Sequence, residues 1–221
     1  MATHLDLEEQ EQLDQLKHFW KTYGNIISWA LIVVMSGFAA WNGYGYWQRS
    51  QAAKASALFD EVERAVMTGD MTRVERSLSD MKDKFGSTLY AQQAALLAAK
   101  SFQDKDKPDQ AKAALTWVAD NASDESYAQI ARMRLVSLLL QAKAYDEAMK
   151  QLAKPATVAF SPLAADLKGD VLQGQGKGPE AVSAYREAWE KMDSTNEYRR
   201  LIEAKLNALG VDPQSASGVA K

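Results

Sequence analysis

Ser161-Pro-Leu-Ala-Ala-Asp-Leu-Lys-Gly-Asp-Val-Leu-Gln-Gly-Gln-Gly-Lys-Gly-Pro-Glu-Ala-Val-Ser-Ala-Tyr-Arg-Glu-Ala-Trp-Glu-Lys191 reads as two helices joined by a turn. Pro162 and Pro179 each stand where a helix begins. There the missing N–H costs nothing and the fixed φ suits the first turn. Ser161 is placed to cap the first helix. The first helix carries Gly169, and the second carries Ala181, Tyr185 and Ala188. Small residues belong where two helices of a hairpin approach closely, and a large one a turn further fills the groove.

The same arrangement recurs towards the N-terminus. Phe160 and Ala181 are 21 residues apart, as are Tyr127 and Ala148, and Tyr90 and Ala111. In each unit an acid or amide precedes the alanine (Gln110, Glu147, Glu180), and four residues after it comes Leu115, Leu152 or Tyr185. Units follow one another at intervals of 37 and then 33 residues. A weaker unit covers about 54–85, where Val74 falls 37 before Ala111. A period near 34 is the mark of tetratricopeptide-type helical hairpins. Accidental spacing in an alanine-rich bundle is the competing reading, but three units sharing several features favour repeats. Pro108 opens another helix. Ser194-Thr-Asn-Glu197 has capping-box spacing and opens a last helix that stops at Gly210. The expected fold is all-α: three to four hairpins and a C-terminal capping helix over residues 49–210, with a disordered end at 211–221.

Ahead of the repeats lies a different kind of segment. Thr22 to Gln48 are 27 residues without a charge, bounded by Lys21 and Arg49. About 20 apolar residues at about 1.5 Å each cross a hydrocarbon core of roughly 30 Å. Trp20, Trp29, Trp41 and Trp47, with Tyr23, Tyr44 and Tyr46, lie in or beside the run. Aromatic rings collect at bilayer interfaces, so residues 22–48 are expected to span a lipid bilayer rather than form a buried core helix. A cleaved signal peptide has a short basic start and a shorter apolar run. Here residues 1–21 hold five acids against Lys17 and Lys21, so the anchor is expected to stay uncleaved. Ser36, Ala39, Ala40 and Gly43 put small residues on neighbouring faces of this helix, either as a packing seam for another helix or by chance.

Orientation is not decided by charge: Lys17 and Lys21 on one side balance Arg49 and Lys54 on the other. The absence of cysteine suits an oxidising compartment such as a periplasm. The whole chain carries −3 and so does the tail, 1–21; 26 basic less 2 and 29 acidic less 5 leave 24 of each beyond it. A balanced domain has no basic excess for phosphates, which argues against nucleic acid. The acidic tail is either simply solvated or a docking peptide for a basic or regulatory partner.

Chemistry is conspicuously thin. His4 and His18 are the two histidines, both before the anchor. Residues 22–221 therefore lack Ser-His-Asp and Cys-His catalysis and ordinary zinc or redox ligands. Gly174-Gln-Gly-Lys-Gly178 follows a helix rather than a strand and lacks the Ser or Thr of a phosphate loop, so a hairpin turn is the better reading. Asp104-Lys-Asp-Lys-Pro-Asp109 lacks the glycine and closing glutamate of a calcium loop and reads as a capped turn. No cofactor or metal is expected, and no catalytic residue stands out.

Three runs, Leu13-Asp-Gln-Leu-Lys-His-Phe-Trp-Lys-Thr-Tyr-Gly-Asn25, Gly43-Tyr-Gly-Tyr-Trp47 and Ala55-Ser-Ala-Leu-Phe-Asp-Glu61, carry a likeness. Tyr90-Ala-Gln-Gln93 and Gly169-Asp-Val-Leu172 extend it into the repeats. With them the chain resembles, over essentially its full length, the YfgM-type ancillary subunits of the bacterial Sec translocon. The resemblance implies a single-pass inner-membrane protein with a cytoplasmic N-terminus and a periplasmic tetratricopeptide-like domain. It implies three partners: the translocon channel subunits, a membrane-anchored periplasmic chaperone of the prolyl-isomerase type, and a cytoplasmic stress-response regulator met by the acidic tail. The implied role is non-enzymatic, handing newly exported chains to chaperones. A general envelope scaffold for wall or division proteins is the alternative. In a solenoid the first helix of each pair builds the concave face, which makes Gln92, Gln93, Arg132 and Arg134 the expected groove residues.

Overall fold

Five helix ends close with the same left-handed residue. Gly69, Asp106, Lys143, Gly176 and Gly210 all have φ between +54° and +76°, at intervals of 37, 37, 33 and 34. The next N–H reaches back five residues in every case. Asp70 donates to the Ala65 carbonyl, Lys107 to Phe102, Ala144 to Leu139, Lys177 to Leu172 and Val211 to Leu206, at 2.8–3.1 Å. This closure satisfies carbonyls that a helix end would otherwise leave open. It also turns the chain sharply into the following helix.

The computed structural model describes residues 7–214, and the described residues form helices and turns without a strand. The helices are α1 (Leu7–Thr68), α2 (Met71–Phe85), α3 (Leu89–Asp104), α4 (Pro108–Asn121), α5 (Glu125–Gln141), α6 (Tyr145–Leu152), α7 (Ser161–Gly174), α8 (Gly178–Lys191) and α9 (Arg199–Ala208). By contact the chain divides into a unit ending at Gln51 and a unit beginning at Ala52. Within the second unit α3 packs with α4, α5 with α6, and α7 with α8, while the end of α1 meets α2 through the Glu61–Arg73 ion pair and the apolar cluster that Val62 and Ala65 share with Met71 and Val74. Helix α9 ends in the same turn as the first helix of every pair and is followed by Pro213, as Gly176 is followed by Pro179. In that ending α9 resembles the first helix of a pair.

Packing follows the small-and-large rule read from the sequence. Val74, Ala111, Ala148 and Ala181 are fully buried, one in each second helix, and so are Leu115, Tyr185 and Ala188. Leu152 is only partly buried because α6 is eight residues long and ends there. One apolar cluster runs from Ala55 to Val171; a second joins Tyr185, Ala188, Ile202 and Leu206 under α9.

The first unit is one stretch of α1. The acidic tail, expected as a solvated segment, is helical from Leu7 onward; its first six residues lie outside the described ones. No proline precedes Pro108, so nothing in the backbone interrupts this helix. Residues 11–68 contain the one described stretch long and apolar enough to cross a membrane.

Several local expectations are corrected. Ser161 is already inside α7, whose N-cap is Phe160 without a side-chain cap; the Ser161 hydroxyl instead accepts from Lys191 Nζ at 3.1 Å. Ser194–Glu197 is not a capping box. Asp193 Oδ1 accepts from the Thr195 N–H and hydroxyl, Asn196 Oδ1 accepts from the Tyr198 N–H, and the helix starts later, at Arg199. These short turns satisfy the same donors one step earlier. The 104–109 turn likewise has no side-chain cap: α4 opens on Lys107 and Pro108. Of the end expected to be disordered, Val211 packs against the second cluster and Pro213 is buried. Residues 215–221 lie outside the described ones.

Candidate protein-binding surface

The repeat register defines one open face on the first helices. Ala55, Gln92, Gln129 and Pro162 occupy equivalent positions, and all four are buried. One residue on, Ser56, Gln93, Ile130 and Leu163 are not. Two turns later the pattern repeats: Val62, Ala99, Val136 and Gly169 are buried, whereas Glu63, Lys100, Ser137 and Asp170 are partly or fully open. Seven residues is close to two helical turns, so both open levels lie on one side of each helix. The face is polar on α3, at Gln93 and Lys100, and more apolar on α5 and α7, at Ile130, Leu140 and Leu163. Such a mixture suits a polypeptide segment that offers apolar anchors with polar flanks.

The predicted groove residues separate on this frame. Gln93 is half-buried on the open face and donates to the Tyr127 hydroxyl at 2.7 Å. Arg134 is exposed. Gln92, by contrast, is fully buried and donates to Ser123 Oγ at 2.8 Å. Its repeat partner Gln129 donates to the Pro155 carbonyl at 3.1 Å. Each of these glutamines ties a first helix to the loop after its own second helix, so Gln92 fastens its hairpin at the link to the next one and, fully buried, is not available to a ligand. Arg132 is also buried. Burial of Gln92 and Arg132 follows from the hairpin-to-hairpin contact, which helix periodicity within one unit does not reveal. Ser36, Ala39, Ala40 and Gly43 are exposed along α1, and nothing lies within 4 Å of a Cβ built on Gly43.

A polar network that the sequence reading missed joins the last three helices. Lys205 Nζ on α9 donates to Asp166 Oδ1 (2.9 Å) and Oδ2 (2.8 Å) and to Asp170 Oδ2 (2.9 Å) on α7. The Tyr198 hydroxyl donates to Asp166 Oδ2 at 2.8 Å. The Tyr185 hydroxyl on α8 donates to Asp170 Oδ1 at 2.8 Å and lies 2.8 Å from the Gln173 side-chain oxygen. Asp166 is 0% exposed, and its burial pushes the carboxyl above its ordinary value more than Lys205 pulls it down. Burial, and then the neighbouring carboxylates, push both tyrosine hydroxyls up. The signal was present in part: two like charges four apart on one helix face repel unless a cation is shared. The cation, however, is 35 residues beyond Asp170.

Centred on the buried Asp166 and internally satisfied, this network fastens α9 to α7 and α8. A second fastening is the Arg199 guanidinium, stacked 3.8 Å from the Trp189 ring centroid. Between hairpins, Lys154 pairs with Asp120 at 3.0 Å and Lys112 pairs with Glu147. The Lys112 hydrogen bond and charge hold the Glu147 carboxyl below the ordinary range. Among the described residues no group of three or more His, Asp or Glu is placed to hold a metal ion.

Comparison with known proteins agrees with the repeat geometry. Residues 17–211 match the tetratricopeptide repeat-like domain family. The chain is 36% identical over 210 residues to the "Ancillary SecYEG translocon subunit" of Neisseria gonorrhoeae, covering 95% of this chain and 100% of that protein. Proteins of the same name from Escherichia coli and Haemophilus influenzae are 26% and 27% identical, each over 206 residues and 92% of this chain, with 97% and 98% of their own lengths covered. No solved structure matches.

Proposed function

The chain belongs to the tetratricopeptide repeat-like family of ancillary SecYEG translocon subunits, and on that premise we propose that it is a membrane-anchored, non-enzymatic adaptor at the translocon. The span within α1 holds the protein beside the channel. The N-terminus faces the cytoplasm and the repeat domain faces the periplasm. The open face of α3, α5 and α7 receives a segment of a membrane-anchored prolyl-isomerase-type chaperone, so that newly exported chains are passed on as they emerge. Contact with a cytoplasmic stress-response regulator belongs to the same proposal and would use the acidic strip of the tail, Glu11 and Asp14.

The observation that carries this reading is the recurrence of an open residue beside a buried one at the same level of successive first helices. Because the open side recurs at the same level on successive first helices, it forms a continuous surface along which a polypeptide segment can lie. The test is in-cell photocrosslinking from Gln93 and Arg134 in the domain and from Ser36 and Gly43 in the anchor. Channel subunits captured by the anchor probes and a periplasmic chaperone captured by the domain probes are the expected result. Capture of wall-building or division proteins instead would replace the adaptor with an envelope scaffold.

A further inference from the structure

The part of α1 ahead of the membrane span carries an apolar strip. At 100° per residue, Leu13, Leu16, Phe19, Trp20 and Tyr23 fall within an arc of about 120°. All five are between 41 and 62% exposed. Phe19 and Tyr23 pack with ring centroids 5.2 Å apart and planes tilted by 41°, and the Trp20 indole lies over Gly24, 3.2 Å from where a Cβ would stand. The three rings sit at the start of the span, where a headgroup layer accommodates them. The two leucines do not share that explanation. At about 1.5 Å per residue, Leu16 stands roughly 9 Å and Leu13 roughly 13 Å before Thr22, and the headgroup layer is only about 5–8 Å deep on each side.

We propose that Leu13, Leu16 and Trp20 form a docking strip for a Lys- and Arg-rich cytoplasmic loop of the polytopic channel protein that the span itself adjoins. Charge selects the occupant. Residues 8–14 carry Glu8, Glu9, Glu11 and Asp14, and no Lys or Arg appears before Lys17. A helix that lies on a lipid surface is rich in Lys and Arg, because the cytoplasmic leaflet is anionic; this helix is acidic and is repelled there. Cytoplasmic loops of multi-spanning proteins hold the excess of Lys and Arg that sets their topology, so they complement the acids, and their apolar stems complement the leucines. A second copy of this chain would bring acid against acid. The inference rests on the cytoplasmic placement of the tail in the proposed function, and it adds a contact on the opposite side of the membrane from the chaperone.

The test uses the full-length protein co-reconstituted with purified channel complex in lipid nanodiscs, with a photocrosslinking residue at Leu16, at His18 on the opposite face of the helix, or at Ser36. Crosslinks from Leu16 to a basic cytoplasmic loop, few from His18, and a loss of about tenfold in Leu16 yield for Glu8→Lys with Glu9→Lys, whose register places them along the strip, are expected. Leu13→Ala with Leu16→Ala keeps helix propensity and should weaken capture in a probe placed at Trp20. Crosslinks from Ser36 to the channel without any from Leu16 would overturn the docking strip and leave the adaptor intact. Leu16 crosslinks to lipid, to a second copy or to an added soluble cytoplasmic protein would overturn it as well. No channel crosslink from any position would overturn the adaptor reading itself.

Discussion

Gly169 lies flat against the ring of Tyr185. A Cβ built on Gly169 would stand 2.9 Å from Tyr185 Cζ and closer still to Cδ1 and Cε1. The ring is fully buried and its hydroxyl is bonded to Asp170, so it has no room to retreat. Gly169→Ala should therefore cost about 1–3 kcal/mol through overpacking. Gly169→Ala with Tyr185→Leu should cost less than the sum of the two changes, because the smaller side chain makes room for the methyl. Urea unfolding of the full-length protein in detergent, followed by circular dichroism, measures both. Strict additivity would show that the contact is not limiting.

Lys205 is the cation that two α7 carboxylates share. Lys205→Met should destabilise the domain by about 3 kcal/mol, since it leaves the buried Asp166 and the partly buried Asp170 without the cation that they share. Adding Asp166→Asn and Asp170→Asn should recover part of the loss. Amide exchange in residues 199–208 should speed up in the single variant before the rest of the domain responds. Unchanged exchange there would mean that Ile202 and Leu206 hold α9 without the network.

Asp166 sets a sign for pH dependence. Its carboxyl is held above the ordinary value of 3.8, so the folded protein keeps a proton at a pH where the unfolded chain has lost it. Its stabilising contribution is present in full below 3.8 and is lost as pH rises through the folded value. The groups facing it are Asp170, Lys205, Tyr185 and Tyr198. The unfolding free energy of the native protein minus that of Asp166→Asn should therefore be larger at about pH 4.5 than at pH 7. A difference that shrinks on acidification would contradict the burial argument.

Lys143 takes the left-handed conformation that Gly69, Gly176 and Gly210 take without a side chain. A Cβ at positive φ costs about 1–2 kcal/mol, offset in part by the greater freedom of glycine in the unfolded chain. Lys143→Gly should raise stability by about 0.5–1 kcal/mol, and Gly176→Ala should lower it by about 1 kcal/mol. Denaturation midpoints of the two variants should move in opposite directions. A midpoint for Lys143→Gly below that of the native protein would argue that the lysine side chain stabilises the turn.

Much of the fold was legible because it is local and recurrent. Ala111, Ala148 and Ala181 could be recognised as one position from their spacing alone, and the structure buries all three. The weak unit around Val74 was harder to see, and the turn at Gly69 makes it equivalent to the rest. The cap expected at Ser161 is displaced because α7 takes Phe160 as its N-cap, without a side-chain cap, and the one expected at Ser194 because Asp193 and Asn196 compete with it for the same N–H groups. Which one wins depends on where the next helix docks. Of the four expected groove residues, Gln93 and Arg134 reach the surface. Gln92 and Arg132 look equally polar in the sequence, yet burial between hairpins turns Gln92 into a clamp.

The sequence by itself determined the order of things: a charge-free run long enough to span a bilayer, then helical hairpins of period near 34, with no histidine or cysteine beyond the span. Those properties depend on composition and on contacts within a few turns, which spacing encodes. Only the tertiary structure decided that Lys205 closes over Asp166 and Asp170, that α9 ends like a further first helix, and that one residue per level stays open while its neighbour is sealed. Each of these depends on contacts between helices far apart in the chain. No periodicity within one helix specifies which side of it the next hairpin will cover.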